Sequence, residues 1–183
     1  MKKLLPVLGL LICVSSLQAQ KLIVRNGHIW FYSQAPLEDI EAHNHQVTSV
    51  IDMASGNMAF AVLMKAFQFE KALMQEHFNE KYIESDKYPK ASFKGSISNF
   101  KELDLSKDGT YDVKVIGELS IHGVSKEVQA DGKLIISEGK LSATSTFPLR
   151  VADYEIKIPA VVRDNIAKIV DVHLEMDYGA MEK

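Results

Sequence analysis

The sequence predicts an all-β domain of about eight antiparallel strands with one short inserted α-helix. Three observations carry that expectation. Apolar and polar residues alternate with a period of two along most of the chain, as half-buried strands require. Turn residues punctuate the alternating runs, and no regular exchange of strands with long helices points to an α/β layer structure. The period changes once, to 3.6 residues, between Phe69 and Lys81.

The elements follow in order. Residues 1–19 read as a secretory signal peptide, separate from the domain at 20–183. Lys2 and Lys3 are positive, residues 4–14 are apolar, and residues 15–19 are polar up to Ala19, where cleavage is placed. The apolar run is too short to anchor as a spanning helix, so the protein is expected in the periplasm without stable membrane insertion. Cys13, the only cysteine, follows Ile12 rather than a small residue and leaves with the leader. The mature chain then has neither disulfides nor thiolate chemistry.

Ile29 and Phe31 alternate with His28, Trp30 and Tyr32, which makes the first strand. Glu38, Asp39 and Glu41 read as an exposed acidic turn. Val47, Ser49 and Ile51 form the next inward face. Ser55-Gly56-Asn57 turns the chain into a strand whose one face is Met58, Phe60, Val62 and Met64. Leu73, Met74, His77 and Phe78 then fall at helical spacing, and the helix ends before Pro89, which disfavours helix at Tyr88. Leu73, His77 and Phe78 are expected to cover one open end of the domain.

Alternation resumes with Ala91, Phe93, Gly95 and Ile97. Lys107-Asp108-Gly109 reads as a hairpin turn into Tyr111, Val113, Val115, Gly117, Leu119 and Ile121. Val124, Val128, Ala130, Leu134 and Ile136 follow. Ser137-Glu138-Gly139 turns the chain into Leu141, Ala143, Ser145 and Phe147. The last strand is the most regular, with Ile166, Lys168, Val170, Val172, Leu174, Met176 and Tyr178 on one face. Such a pattern fits a closed barrel or a sandwich, and strand count does not separate them. Several inward positions are small: Ser49, Ala91, Gly95, Gly117, Ala130, Ala143 and Ser145. They either interdigitate with Phe60, Phe93 and Phe147 or leave space along the axis.

Composition excludes some function classes. At 183 residues the chain is one domain with room for a core. Its formal charge is −3, or −5 without Lys2 and Lys3, with both signs interspersed. No basic stripe exists, so nucleic acid is not an expected partner. Gly123-Val124-Ser125 begins like a nucleophile elbow, but Glu127 stands where glycine belongs and the context is strand–turn–strand. His43 and His45 lie on one side of an extended segment, read as a solvated loop-to-strand junction. Zinc would need a further ligand, for which His28 is the nearby candidate. Glu76-His77 lacks the spacing of a metalloprotease helix. Asp171, Glu175 and Asp177 read as a solvated outer face. No catalytic residue, metal ligand or cofactor site is assigned.

Two stretches carry a family resemblance. Residues 74–95 read as an amphipathic helix, a turn closed by Tyr88-Pro89, and a strand; residues 117–128 read as strand, tight turn, strand. In this order they resemble the YceI-like family of bacterial periplasmic proteins, and the likeness extends over residues 21–178. The turn Ile121-His122-Gly123-Val124-Ser125-Lys126 matches the family's His-Gly-Val-Thr-Lys hairpin, with Ser125 in place of threonine and Gly123 supplying a positive φ. The resemblance implies an eight-stranded lipocalin-like barrel that encloses a long apolar tail, typically a polyisoprenoid.

There are departures from the family pattern. Phe69-Glu70-Lys71-Ala72 stands where many members carry an Arg-Asp pair. Ala35 and Pro36 stand near the place of the histidine after the opening strand. If that arginine holds a headgroup, headgroup choice differs here. Within such a barrel Phe60, Val62, Met64, Phe78, Phe93, Val115, Gly117, Phe147 and Val172 are the expected tail-lining residues. The expected partner is an isoprenoid or similar long-chain lipid, with a homodimer left open. Two other readings stand beside this one: an interaction or stress protein with a filled barrel, and a lipid-acting enzyme using His77 or Tyr88.

Overall fold

The structure, a computed structural model, describes residues 21–181. The signal-peptide reading of residues 1–19 lies outside them. Nine strands and one α-helix follow in order: β1 (Lys21–Gln34), β2 (Asp39–Asp52), β3 (Asn57–Leu63), β4 (Gln68–Phe69), α1 (Ala72–His77), β5 (Lys90–Ile97), β6 (Gly109–Ile121), β7 (Val124–Ser137), β8 (Lys140–Arg150) and β9 (Ile169–Ala180).

Eight of these close into an antiparallel barrel in the order β1-β9-β8-β7-β6-β5-β3-β2, with β1 paired back onto β2. The two-residue β4 pairs with β2 at Ala42 and His43. Closure pairs the edges that an open sheet would expose. The excursion through β4 and α1 separates β3 from its neighbour β5 in sequence.

The turns follow from residues that accept a positive φ. His122 (φ 53°) and Gly123 (φ 78°) join β6 to β7; Glu138 (φ 53°) and Gly139 (φ 73°) join β7 to β8. Both are two-residue turns with positive φ at both positions, the twist that suits a hairpin. Gly123 has a second reason to be glycine, because a Cβ there would stand 2.5 Å from the Tyr88 ring. The two sequence stretches that carry the family resemblance therefore meet in space.

Some expectations are corrected. Lys107-Asp108-Gly109 does not make a tight hairpin: residues 98–108 link β5 to β6 through a 3-10 turn at Phe100–Glu102. The supposed acidic turn is shorter, because Asp39 and Glu41 already belong to β2, where the register to β1 holds them. His43 and His45 sit inside β2 rather than at its junction. The helix is one and a half turns of α followed by a π turn at Phe78–Tyr82. Leu73 is 61% exposed and faces away from the barrel. The last strand begins at Ile169, so Ile166 and Lys168 lie in the connection before it.

The barrel is packed unequally along its axis. One half is filled by Ile51, Leu134, Leu141, Met176 and Tyr178, all nearly inaccessible. Here the small residues interdigitate. The Tyr178 hydroxyl lies 2.6 Å from Ser49 Oγ. The Met176 sulfur occupies the space where a side chain at Gly27 would begin. At the other half β7 and β8 separate: they pair from Gly132↔Ser145 to Ser137↔Lys140, while β7 continues against β6 as far as Val124. The connection between β8 and β9 crosses this end, with 3-10 turns at Val151–Tyr154 and Ala160–Val162.

Candidate functional site

The less filled half encloses a cavity of about 370 Å³. Protein interiors seldom leave voids larger than a water molecule, whereas ligand pockets span roughly 300–1,000 Å³. Three layers of the structure build the wall. The strands contribute Ile29, Val62, Ala91, Phe147 and Val172, and the 3-10 turn at Met64–Ala66 after β3 contributes Met64. The segment around α1 contributes Met74, His77, Phe78 and Tyr82; the connection before β9 contributes Ile156, Ile158, Val162 and Ile166.

Aromatic rings form the roof. Phe78 sits 5.0 Å from Phe69, 5.5 Å from Phe67 and 5.9 Å from Phe31, centroid to centroid. The Phe69 pair is tilted, the Phe67 pair edge-on and the Phe31 pair stacked; such contacts are favourable, and they fix the short helical segment over the barrel. Phe69 N–H donates to Gln75 Oε1 at 3.2 Å, which ties β4 to α1. Burial raises the Tyr82 phenol pKa above its usual value.

The polar rim is small. Lys71 Nζ donates to Glu38 Oε1 at 2.8 Å, and Asn165 Nδ2 donates to Glu38 Oε2 at 3.4 Å. Glu38 thus links the β1–β2 turn, α1 and the β8–β9 connection. The Lys71 hydrogen bond holds its carboxyl below the usual carboxylate range. Ala167 N–H donates to Ser33 Oγ at 2.9 Å and Leu37 N–H to the Asp164 carbonyl at 2.9 Å, so the connection is sewn to the barrel mouth. Among the described residues lining the cavity there is no lysine or arginine.

The hairpin at His122 braces this end from outside. His122 Nδ1 donates to the Tyr154 carbonyl at 3.0 Å, and its Nε2 lies 2.9 Å from Glu84 Oε2. Tyr88 packs edge-on against the His122 ring at 4.6 Å. Tyr88 is thus a brace and does not line the cavity.

Five of the nine expected tail-lining residues do line the cavity: Val62, Met64, Phe78, Phe147 and Val172. Phe60, Phe93, Val115 and Gly117 do not. Gly117 faces Gly95 across β5 and β6, and a Cβ on either would meet the Phe93 ring, at 2.7 Å and 2.6 Å. Phe93 fills that notch and packs edge-on against Phe60 at 6.0 Å. This pair lies one inward step from Val62↔Ala91 and marks the floor of the cavity. Val115 pairs with Ile97 and Ala130 below it, in the filled half.

Sequence reasoning missed Ile29 within β1, Ile40, Leu119 and Ile121 at the ends of β2 and β6, and Ile156 and Ile158 in the connection. Ile156-x-Ile158 ahead of Pro159 was the available signal. On the outer wall, away from the cavity, the structure brings His28 beside His43 and His45. Burial of its ring lowers the His28 pKa; His45 and His43 push the same way, and Glu175 opposes.

No curated protein matches the chain by sequence. Solved structures do match by shape. A polyisoprenoid binding domain from Saccharophagus degradans aligns with a TM-score of 0.76 at 14% identity, over 90% of this chain and 100% of its own. BcnA from Burkholderia cenocepacia aligns at 0.68 and 14% identity, over 81% of this chain and 94% of its own. The YceI protein of Campylobacter jejuni aligns at 0.54 and 18% identity, over 78% and 84%. At these identities the likeness is one of fold. The model of the YceI-like domain matches residues 25–178, and the chain therefore belongs to the YceI-like family.

Proposed function

We propose that this protein is an exported carrier that encloses a long apolar tail of isoprenoid type in the cavity beneath α1. One observation carries the reading: a cavity of about 370 Å³ walled almost wholly by aliphatic, aromatic and methionine side chains. Burying several hundred Å² of tail at ~25 cal/mol per Å² contributes several kcal/mol before ordering costs, with no covalent step. Met64 and Met74 suit a flexible guest, because the thioether chain adapts its shape. The polyisoprenoid-binding domain of matching fold supports the choice of tail.

The rim favours an uncharged head, such as a quinone ring, over a phosphate. Glu38 is the carboxylate at the wall, and Lys71 is already committed to it. A phosphate at the wall would face that carboxylate, and no lysine or arginine among the described lining residues offers it a counter-charge. Export rests on the N-terminal pattern of residues 1–19. Intact mass of protein recovered from the periplasm tests it, and a mass matching all 183 residues refutes export with cleavage.

Solvent extraction of the purified protein, followed by mass spectrometry of the extract, tests the ligand. A stoichiometric isoprenoid with a neutral head is the expected result. A protein that carries no lipid and takes up neither a quinone nor a polyprenyl phosphate from micelles contradicts the carrier reading. Uptake of the phosphate alone contradicts the headgroup choice and leaves the tail site standing.

A further inference from the structure

We infer that His28, His43 and His45 form a binding site for one borderline divalent transition-metal ion on the outer wall of the barrel. One ring nitrogen from each of the three lies within 4.8 Å of the others. The register of β1 on β2 creates this grouping. Ile29 pairs with Asn44 and Trp30 with His43, and the irregular pairing around Gly27 and Ile29 brings His28 level with the two β2 histidines. His43 and His45, two residues apart on one strand, share the outer face.

The tautomers point the same way. His43 Nε2 lies 3.2 Å from Glu41 Oε1, and His28 Nδ1 lies 3.9 Å from Glu175 Oε2. Each carboxylate favours a proton on the nitrogen it faces. That leaves the lone pairs on His28 Nε2 and His43 Nδ1, which face each other at 3.0 Å. Two lone pairs so placed repel unless a proton or a cation lies between them. Two nitrogens on one tetrahedral zinc, at the usual bond length, stand roughly 3.3 Å apart. A small widening of the observed gap therefore suffices. The carboxylates become the outer partners that orient ligating histidines.

His45 completes the set. Its ring stacks on His28 at 4.1 Å between centroids, with the planes 16° apart. A metal must lie near the plane of each ring it binds, so coordination requires His45 to tilt out of the stack. His45 is exposed and can turn to another staggered rotamer. Three imidazoles and a water complete a tetrahedron, and imidazole suits Zn2+ and Cu2+ better than Mg2+ or Ca2+.

The site carries its own probe. Trp30 is the single tryptophan, and its ring stacks on His28 at 4.5 Å. The experiment titrates Zn2+, and separately Cu2+, into purified protein that carries no histidine tag. Trp30 emission and metal content after equilibrium dialysis are both followed. The expected result is one ion per chain, with quenching by Cu2+ that saturates at the same ratio. His43→Gln and His45→Ala each weaken binding by roughly tenfold or more, and Glu175→Gln by a smaller factor. His173→Ala, on the opposite face of Trp30 at 4.9 Å, leaves the affinity unchanged. Zn2+ raises the thermal midpoint of the parent and not that of His45→Ala, whose metal-free midpoint matches the parent because the residue is exposed. Absence of saturable binding, or parental affinity in His45→Ala, overturns the site.

Discussion

Gly95 and Gly117 face each other across β5 and β6, and the ring of Phe93 lies over the notch they leave. A methyl group at Gly117 would strike Phe93, the Gly95 Cα and the Lys94 carbonyl, two of them rigid backbone. Gly117→Ala is therefore expected to destabilise by about 1–3 kcal/mol. Bound lipid per folded molecule stays at the parental value, because Gly117 is below the cavity floor; denaturant melts with lipid quantitation check both. Tyr178 makes a second test at this scale. Burial pushes its phenol up to about 12, against a partial lowering by the Ser49 hydrogen bond. An unfolded tyrosine titrates near ~10. The folded pKa is the higher one, so the stabilisation is full below pH ~10 and is lost as pH rises through about 12. The loss is on the order of 2–3 kcal/mol. Tyr178→Phe should flatten the fall in stability across that window, measured by urea melts at stepped pH. Tyr82 and Tyr154 are pushed the same way by burial, so the slope shrinks rather than vanishes.

The helix α1 is too short to hold itself. Six residues fall well below the length at which an isolated helix persists in water, and Lys71 gives it no side-chain cap. It stays in place through Met74, His77 and Phe78 beneath it and through the Lys71–Glu38 pair at its start. Elements held by so few contacts open first. Lys71→Gln is expected to leave the thermal midpoint close to parental, since the pair is exposed. It should speed release of lipid to acceptor vesicles, and an unchanged release rate would remove the latch role of this pair. The position of α1 was legible because a change from period 2 to period 3.6 is a local signal. The π turn after it was not, because it depends on how Phe78 and Tyr82 settle on the barrel. His28 and His43 stand fifteen residues apart, and only the pairing of β1 with β2 joins them; the phase change in each strand, from Leu22 and Val24 to Gly27 and Ile29 and from Ala42 and Asn44 to Val47 and Ser49, marks an irregularity but not its partner. Ile156 and Ile158 escaped because an irregular segment has no period to reveal which side faces inward. Val62, Met64, Phe147 and Val172 were readable as inward-facing. Their height along the axis, which separates lining from packing, is a property of the closed barrel.

At the scale of the whole molecule the barrel divides into a filled half and a hollow one, with the Phe60–Phe93 pair between them. The three large apolar side chains most exposed among the described residues lie at the hollow half. Leu37 (72% exposed), Leu73 (61%) and Val161 (90%) each neighbour a residue that lines the cavity. Among the described residues no helix is long and apolar enough to cross a membrane. These three side chains suit transient contact with a lipid surface during loading. Replacing all three with serine should slow uptake from vesicles while leaving the final lipid content unchanged, and parental uptake kinetics would exclude that role. The division itself yields the sharpest test. Ala91 lines the cavity beside Val62, one inward step above the Phe60–Phe93 pair, and is buried. A larger side chain there projects into open volume rather than into packed backbone, so Ala91→Phe should keep or raise the stability of the delipidated protein. It also removes volume the tail needs, so lipid per chain should fall. Gly117→Ala gives the opposite pair of outcomes, stability lost and lipid per folded chain kept. If Ala91→Phe instead destabilises as Gly117→Ala does and retains its lipid, the tail does not occupy this cavity.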